Sequence, residues 1–394
     1  MTEVYVVEGA RTPFGSFGKS LKNVSPIQMG TLTALEAMKR ANIDPAQIGD
    51  VVYGNVIHSS IDAAYTARHV ALKAGVPETV PAMLVNRLCG SGLQAVISSA
   101  LAIQTGDADL ALCGGVENMS KSPHSTFNQR FQGQKFGNLE FEDMLLHTLT
   151  DQYIGCGMGI TAENLAEKYS IKREEQDEYA LLSHQRAAKA NREGRFTQET
   201  IPVVIEEKKS LTFTVDELVK PESTLQQLSA LRPSFKKDGT VTAGNASGIN
   251  DGAVSLVLAG EDSVKSKQVK PLARIVSWGI SGVDPNIMGI GPVPASQKAL
   301  AKATLSIEDM DLVEINEAFA SQYLAVEKEL SLDREKTNVN GGAIALGHPV
   351  GASGSRLLLT LAYELRNRGL RYGLASLCIG GGQGIAMIIE NATS

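Results

Sequence analysis

Asn86-Arg87-Leu88-Cys89-Gly90-Ser91-Gly92-Leu93-Gln94-Ala95 holds a cysteine in a glycine-flanked turn. Leu93, Val96, Ile97, Ala100, Leu101 and Ile103 follow at helical spacing, which predicts a helix from just past Cys89 to about Gly106. The exposed N–H groups and dipole of a helix start favour an anion, so a lowered thiol pKa is expected there. Gly90 and Gly92 leave room for a substrate beside the backbone. Taken alone, the segment fits a nucleophile and a buried core cysteine equally well.

The same stretch has an echo. Ser91-Gly92-Leu93 answers Ser353-Gly354-Ser355, an offset of 262 (353 − 91). Ala37 to Ile43 answers Ala299 to Leu305, and Ile48 to Gly54 answers Met310 to Asn316, at that same offset. Leu112-Cys113 answers Leu377-Cys378 with slightly more separation. A constant offset at separated places predicts a duplicated α/β unit. Within the first copy, strands are expected at 4–9, 48–56 and 109–113, the last ending in Gly114-Gly115, with a helix over 25–42. The alternation predicts a layered domain with a largely parallel sheet.

Between the copies, residues 119–247 are of a different character. A polar helix is expected from Glu174 to Arg192, followed by an irregular basic stretch with Lys208, Lys209, Lys220, Arg232, Lys236 and Lys237. Such residues ordinarily form a solvated surface; an insert covering a site and meeting an anionic ligand is the sharper reading. The expected organisation is therefore 1–118 with 248–270 as the first half, 119–247 as an inserted loop domain, and 271–394 as the second half.

Composition narrows the partners. A net charge of −6 gives no reason to expect nucleic acid. Four cysteines in 394 residues make no disulfide framework, and their spacing offers no metal site. No apolar run is expected to reach membrane-spanning length, and the start of the chain reads as a strand without a targeting pattern. A reducing compartment, the cytoplasm, is the expectation.

The second copy supplies three more stretches: Glu314-Ile315-Asn316-Glu317-Ala318-Phe319-Ala320 at a strand end, Gly347-His348-Pro349 just before the duplicated helix, and Cys378-Ile379-Gly380-Gly381-Gly382 after the last core strand. If the copies pack about a pseudo-twofold axis, both helix starts converge, and Cys89 meets His348 in an arrangement suited to nucleophilic catalysis. N–H groups around Gly380 could form an oxyanion nest. Asn316 could be a satisfied turn residue or the holder of a water or carbonyl oxygen.

Together these motifs resemble the thiolase family, in family order from Arg11-Thr12-Pro13-Phe14-Gly15 to the C-terminus. The resemblance implies a five-layer αβαβα fold from two duplicated halves with an inserted loop domain, assembled as a homodimer or homotetramer. It implies an acyltransferase that interconverts 3-ketoacyl-CoA plus CoA with acetyl-CoA plus a shortened acyl-CoA, as in fatty-acid β-oxidation, through a Cys89 acyl-thioester in ping-pong fashion. By the same resemblance His348 activates Cys89, Cys378 moves the α-proton, and Asn316 holds a water that works with His348 on the enolate oxygen. The N–H groups of Cys89 and Gly380 form the second oxyanion hole. CoA and acyl-CoA enter as substrates, with no prosthetic group and no metal. Lys220, Phe235, Ala243, Ser247, Ile249, Ala318, Phe319 and Met158 are the implied CoA contacts.

Biosynthetic members carry His-Met-Gly where this chain reads Gly157-Met158-Gly159, with Cys156 nearby. That departure, with Asp284-Pro285 to Pro292 and Lys336 to Gly342, resembles members acting on short and medium 3-ketoacyl-CoA in the degradative direction. The alternatives are a biosynthetic thiolase condensing two acetyl-CoA and a ketoacyl-synthase-type condensing enzyme, against which Cys378 argues. A non-catalytic lipid-binding scaffold is a further rival, disfavoured because Cys89 and His348 are both present.

Overall fold

In the computed structural model, which describes residues 2–206 and 210–392, the alternating runs become a mixed ten-stranded sheet flanked by helices. Lys208 and Lys209 lie outside the described residues. The first half contributes β1 (Val4–Arg11), β2 (Gly15–Ser16), β3 (Asp50–Gly54), β4 (Ala82–Val85), β5 (Leu110–Asn118) and β6 (Asn250–Gly260), with α1 (Pro26–Ala41), α2 (Thr66–Lys73) and α3 (Ser91–Thr105). The insert carries α4 (Met158–Lys168) and α5 (Arg173–Arg192). The second half adds β7 (Ala273–Gly282), β8 (Leu312–Ile315), β9 (Tyr372–Ile379) and β10 (Gln383–Asn391), with α6 (Pro292–Ala303), α7 (Ala320–Leu330), α8 (Ala343–Leu346) and α9 (Ser353–Arg368).

Local chemistry sets the ends. Ser25 caps α1 by accepting the Gln28 N–H, Pro26 opens the helix, and Asn42 closes it in the left-handed conformation. Gly106 and Gly369 close α3 and α9 in the same conformation.

The sheet runs β8-β9-β10-β7-β1-β6-β5-β3-β4, with β2 beside β6. Each half repeats one pattern. β1 pairs antiparallel with β6, β6 antiparallel with β5, and β5 parallel with β3. β7, β10, β9 and β8 follow the same sequence of senses. A short antiparallel contact, Tyr5 with Arg274 and Val6 with Ala273, joins the halves. The expected largely parallel sheet is thus corrected to a mixed one. Parallel neighbours require a crossover, whereas β9 returns directly into β10 through a glycine hairpin. Gly381 (φ 77°) and Gly382 (φ 79°) supply the left-handed turn that this hairpin needs.

Three apolar clusters define the layers. α1 and α2 cover one half-sheet around Met29, Met38 and Val70. α6 and α7 cover the other around Leu300, Tyr323 and Val326. Between the half-sheets lie α3 and α9, packed around Leu93, Val96, Leu358 and Leu359 and touching strands of both halves. The result is the expected five-layer αβαβα arrangement from two duplicated halves.

At the centre, the duplicated glycines permit the helix contact. A Cβ on Gly92 would lie 2.8 Å from the Ser355 backbone nitrogen, and one on Gly354 would lie 2.5 Å from that of Leu93. Backbone cannot swing aside, so Gly354→Ala must force the two helices apart. Overpacking of this kind typically costs about 1–3 kcal/mol. The variant is expected to melt a few degrees lower than the parent, checked by calorimetry; an unchanged Tm would refute the tight contact.

Two further expectations are corrected. An 18-residue window, Leu88–Thr105, is long and apolar enough by length and composition to cross a membrane. From Ser91 on it is the central helix α3, apolar because it packs between the two half-sheets. Gly114 and Gly115 do not end the strand but lie inside β5. A Cβ on Gly115 would sit 2.0 Å from the Gly351 carbonyl oxygen, so the strand needs glycine where the second half closes on it.

Candidate active site

The turn after β4 is held from both ends. Asn86 Oδ1 accepts the Leu88 N–H at 2.9 Å. Ser91 Oγ accepts the Arg87 N–H at 2.8 Å and donates to the Leu88 carbonyl at 2.7 Å. These clips keep Leu88 at φ 47°, a left-handed conformation that costs a non-glycine residue roughly 1–2 kcal/mol. The next residue, Cys89, is thereby turned out ahead of α3, whose cap is Gly90. Cys89 is half-buried against a cluster of Ile57, Met119, Leu145 and Val350. Burial pushes its thiol up to about 11, outweighing the Gly380 N–H and its own N–H, while the Glu117 carboxyl adds to the rise. The lowered pKa expected from the helix start is therefore corrected: apolar burial wins over two N–H groups.

His348 arrives from the other half. It follows α8, and its N–H donates to Asn250 Oδ1 at 3.0 Å. Three residues on, the Gly351 N–H donates to Glu117 Oε2 at 2.9 Å. The ring Nδ1 lies 2.6 Å from Ser353 Oγ, and Nε2 lies 3.4 Å from Asn316 Nδ2. Burial pushes the imidazole down to about 4, helped by the Arg356 guanidinium. At neutral pH the ring is uncharged and the Cys89 thiol keeps its proton.

Asn316 follows β8, its N–H bonded to the Ser376 carbonyl at 2.9 Å, two residues before Cys378. Its Oδ1 is buried and makes no hydrogen bond within the protein. Cys378, buried in β9, has its thiol pushed well above the ordinary range by burial, with the neighbouring Cys89 sulfur adding to the effect. All four cysteines are free. Gly380, at the start of the hairpin, aims its N–H at the Cys89 sulfur. The structure therefore gathers Cys89, Cys378, Gly380, Asn316 and His348 about one place. A protonated thiol, an uncharged imidazole, a second thiol and N–H donors aimed at the first sulfur suit acyl transfer combined with proton movement at carbon.

A cleft of about 300 Å³ opens from this place, lined by Val56, Leu88, His147, Met158, Gly380 and Gly381. Met158, Ala318 and Phe319 pack with Cys378 in one apolar cluster. Phe235 meets Phe319 edge-on with centroids 6.0 Å apart. The Ser247 N–H donates to the Ala318 carbonyl at 2.9 Å, and Ile249 joins the apolar cluster beside Cys89. Lys220 and Ala243 are exposed, and no described contact brings either to Cys378. The Lys220 N–H instead meets His184 Nδ1 at 3.3 Å.

Several contributors escaped the sequence reading. Glu117 accepts from Asn55, Val56, Ile57 and Gly351, tying the Cys89 side to the His348 loop. Its signal was an acid at the end of an apolar strand, which must find partners when buried. Glu317 gathers Tyr179, Ser183, Asn338 and the Ile344 N–H. Tyr179 and Ser183 belong to α5, so the polar helix of the insert turns buried polar groups toward the loops that carry Asn316 and His348.

Known proteins resemble the whole chain. The family described as "Thiolase, N-terminal domain" matches residues 4–262, and "Thiolase, C-terminal domain" matches residues 269–391. The chain is 53% identical over 390 residues to the mitochondrial 3-ketoacyl-CoA thiolase of Mus musculus, covering 98% of each. It matches the human mitochondrial 3-ketoacyl-CoA thiolase in complex with CoA at a TM-score of 0.95 and 52% identity, covering 99% of this chain and 98% of that one. It matches the acetyl-CoA acetyltransferase of Bacillus anthracis at a TM-score of 0.97 and 49% identity, covering 99% of each. With a duplicated five-layer fold, two thiols and an imidazole converging between the halves, and both family domains matched along its length, this chain belongs to the thiolase family.

Proposed function

We propose that the protein cleaves 3-ketoacyl-CoA with CoA to give acetyl-CoA and a shortened acyl-CoA, and runs the reverse condensation. Cys89 attacks the keto carbon as its proton passes to His348 Nε2. The carbon–carbon bond breaks, and Cys378 protonates the departing α-carbon to complete acetyl-CoA. CoA then releases the acyl group from Cys89. Asn316 holds a water that stabilises the enolate oxygen together with His348; the buried Oδ1 without a protein partner supports this. The N–H groups of Cys89 and Gly380 receive the thioester oxygen.

The single observation that carries the reading is the nearness of the Cys89 and Cys378 sulfurs from opposite repeats, with His348 held against Asn316. One thiol and one base suffice for acyl transfer, but protonating a carbanion calls for a second acid. Residues 119–247 serve as the loop domain over CoA, with Met158, Phe235, Ser247, Ile249, Ala318 and Phe319 along the pantetheine and Lys220 toward the phosphates. Ala243 lies at the outer part of that path. The absent histidine before Met158, and 53% identity to a protein named 3-ketoacyl-CoA thiolase, support the degradative direction. Four free thiols suit a reducing compartment such as the cytoplasm. Exposed Met83 on the edge strand β4, and exposed Phe131 and Phe136 in the insert, support a homodimer or homotetramer, which light scattering would count.

The test is loss of Mg²⁺–acetoacetyl-CoA absorbance on adding CoA and protein. In that assay Asn316→Ala is expected to slow turnover by roughly 10²-fold or more, the usual size of a lost oxyanion donor. Unchanged kinetics would remove Asn316 from the mechanism.

A further inference from the structure

We propose that Ser353 is a positioning residue that decides which nitrogen of His348 carries the ring proton, leaving Nε2 bare toward the thiols. The proposal rests on the reading of His348 as the base. Ser353 Oγ has two polar neighbours: His348 Nδ1 at 2.6 Å and the Pro349 carbonyl at 2.9 Å. The carbonyl only accepts, and in the proposal it takes the single hydroxyl proton, beside the Ala352 and Ser353 N–H groups that it also takes. The oxygen then has only lone pairs to offer the ring, and Nδ1 must be the nitrogen that carries hydrogen. In an uncharged imidazole Nε2 is then an acceptor. The group that faces Nε2 agrees, because Asn316 Nδ2 is a donor at 3.4 Å.

The other restraints on this loop hold backbone rather than ring. Asn250 takes the His348 N–H, and Glu117 takes the Gly351 N–H. Ser353 is thus set apart from the rest of the clamp. The duplication supplies a second, independent instance. Ser91, its counterpart at the start of α3, also donates to a carbonyl of the preceding loop and accepts an N–H from it. In the first half that N–H is the Arg87 backbone; in the second it is the imidazole. One inherited clip has been turned from backbone geometry to proton placement.

The consequence is chemical. A bare Nε2 receives the Cys89 proton: the S–H bond breaks, an N–H bond forms, and the electron pair stays on sulfur for attack. The new Nε2–H then faces the substrate oxygen. With the proton on Nε2 from the outset, no lone pair there could take the Cys89 proton.

The experiment is ¹⁵N NMR of histidine-labelled protein without substrate, with His348 assigned by difference from His348→Asn. The parent is expected to show Nδ1 protonated and Nε2 unprotonated. Ser353→Ala should mix the two forms and lower kcat about 10- to 100-fold, within the range general-base catalysis contributes, with KM for either substrate changed less than about twofold. Ser353→Thr should restore both the spectrum and the rate. A parent spectrum with the proton on Nε2, or a Ser353→Ala spectrum like the parent's, overturns the proposal, and the first of these needs no variant to fold. A mixed spectrum with full kcat would instead leave the tautomer assignment standing and remove His348 as the base.

Discussion

Cys89→Ala is expected to acquire no acyl group from acetyl-CoA and to lose about 10⁴-fold or more of its thiolysis rate, as enzymes do on losing a nucleophile. Intact-mass spectrometry reads the first outcome and the acetoacetyl-CoA assay the second. The size of the loss follows from the site: Cys378 is buried in β9 and Cys113 in β5, so neither is placed to take over the acyl group. A covalent adduct in the variant would mean that another residue carries the acyl group. The resting state of Cys89 has its own signature. With the thiol pushed up to about 11 and the imidazole down to about 4, both partners are uncharged at pH 7. Thiolate grows as pH rises toward the thiol's pKa, so alkylation of Cys89 by iodoacetamide should keep accelerating from pH 7 to pH 10. A plateau reached by pH 7 would show a thiolate–imidazolium pair already formed in the free protein.

The layered fold and its duplication were legible because they rest on short-range rules repeated at a fixed offset. Gly92 and Gly354 recur at one spacing because both serve the same helix contact, seen from either side. The Ser25 cap and the glycine ends of the central helices could be read for the same local reason. Strand direction was not legible. Whether β6 returns beside β5 or crosses over is decided by where a long insert leaves and re-enters, and periodicity does not record that. The sign of the Cys89 shift was missed because helix position is written in sequence, whereas the apolar wall formed by Ile57, Met119, Leu145 and Val350 comes from four separate segments. Glu117 and Asn250 escaped notice for a related reason: each acts on a loop of the opposite half, and nothing in its own neighbours names that partner.

Cys378→Ala separates the two halves of the chemistry. Its thiol lies in the apolar cluster with Ala318 and Phe319, where ionisation is costly, so it waits as an acid. When the carbon–carbon bond of the 3-ketoacyl group breaks, the electron pair left on the α-carbon takes the Cys378 proton, and a thiolate remains in the same apolar surroundings. That buried charge is removed when the incoming CoA thiol gives up its proton, which restores the acid for the next cycle. Acetyl transfer from acetyl-CoA has a second proton source: His348, which takes the Cys89 proton, can hand it to the departing CoA sulfur. The variant should therefore still acquire the acetyl mass on Cys89, while 3-ketoacyl-CoA cleavage falls by about 10²- to 10⁴-fold, the range for loss of a general acid. It should also fail to exchange the α-protons of acetyl-CoA in deuterated water, which the parent exchanges because Cys378 can run as a base in reverse. Exchange at the parent's rate in Cys378→Ala would assign the α-proton to His348, and the second thiol would then be only a packing residue of β9.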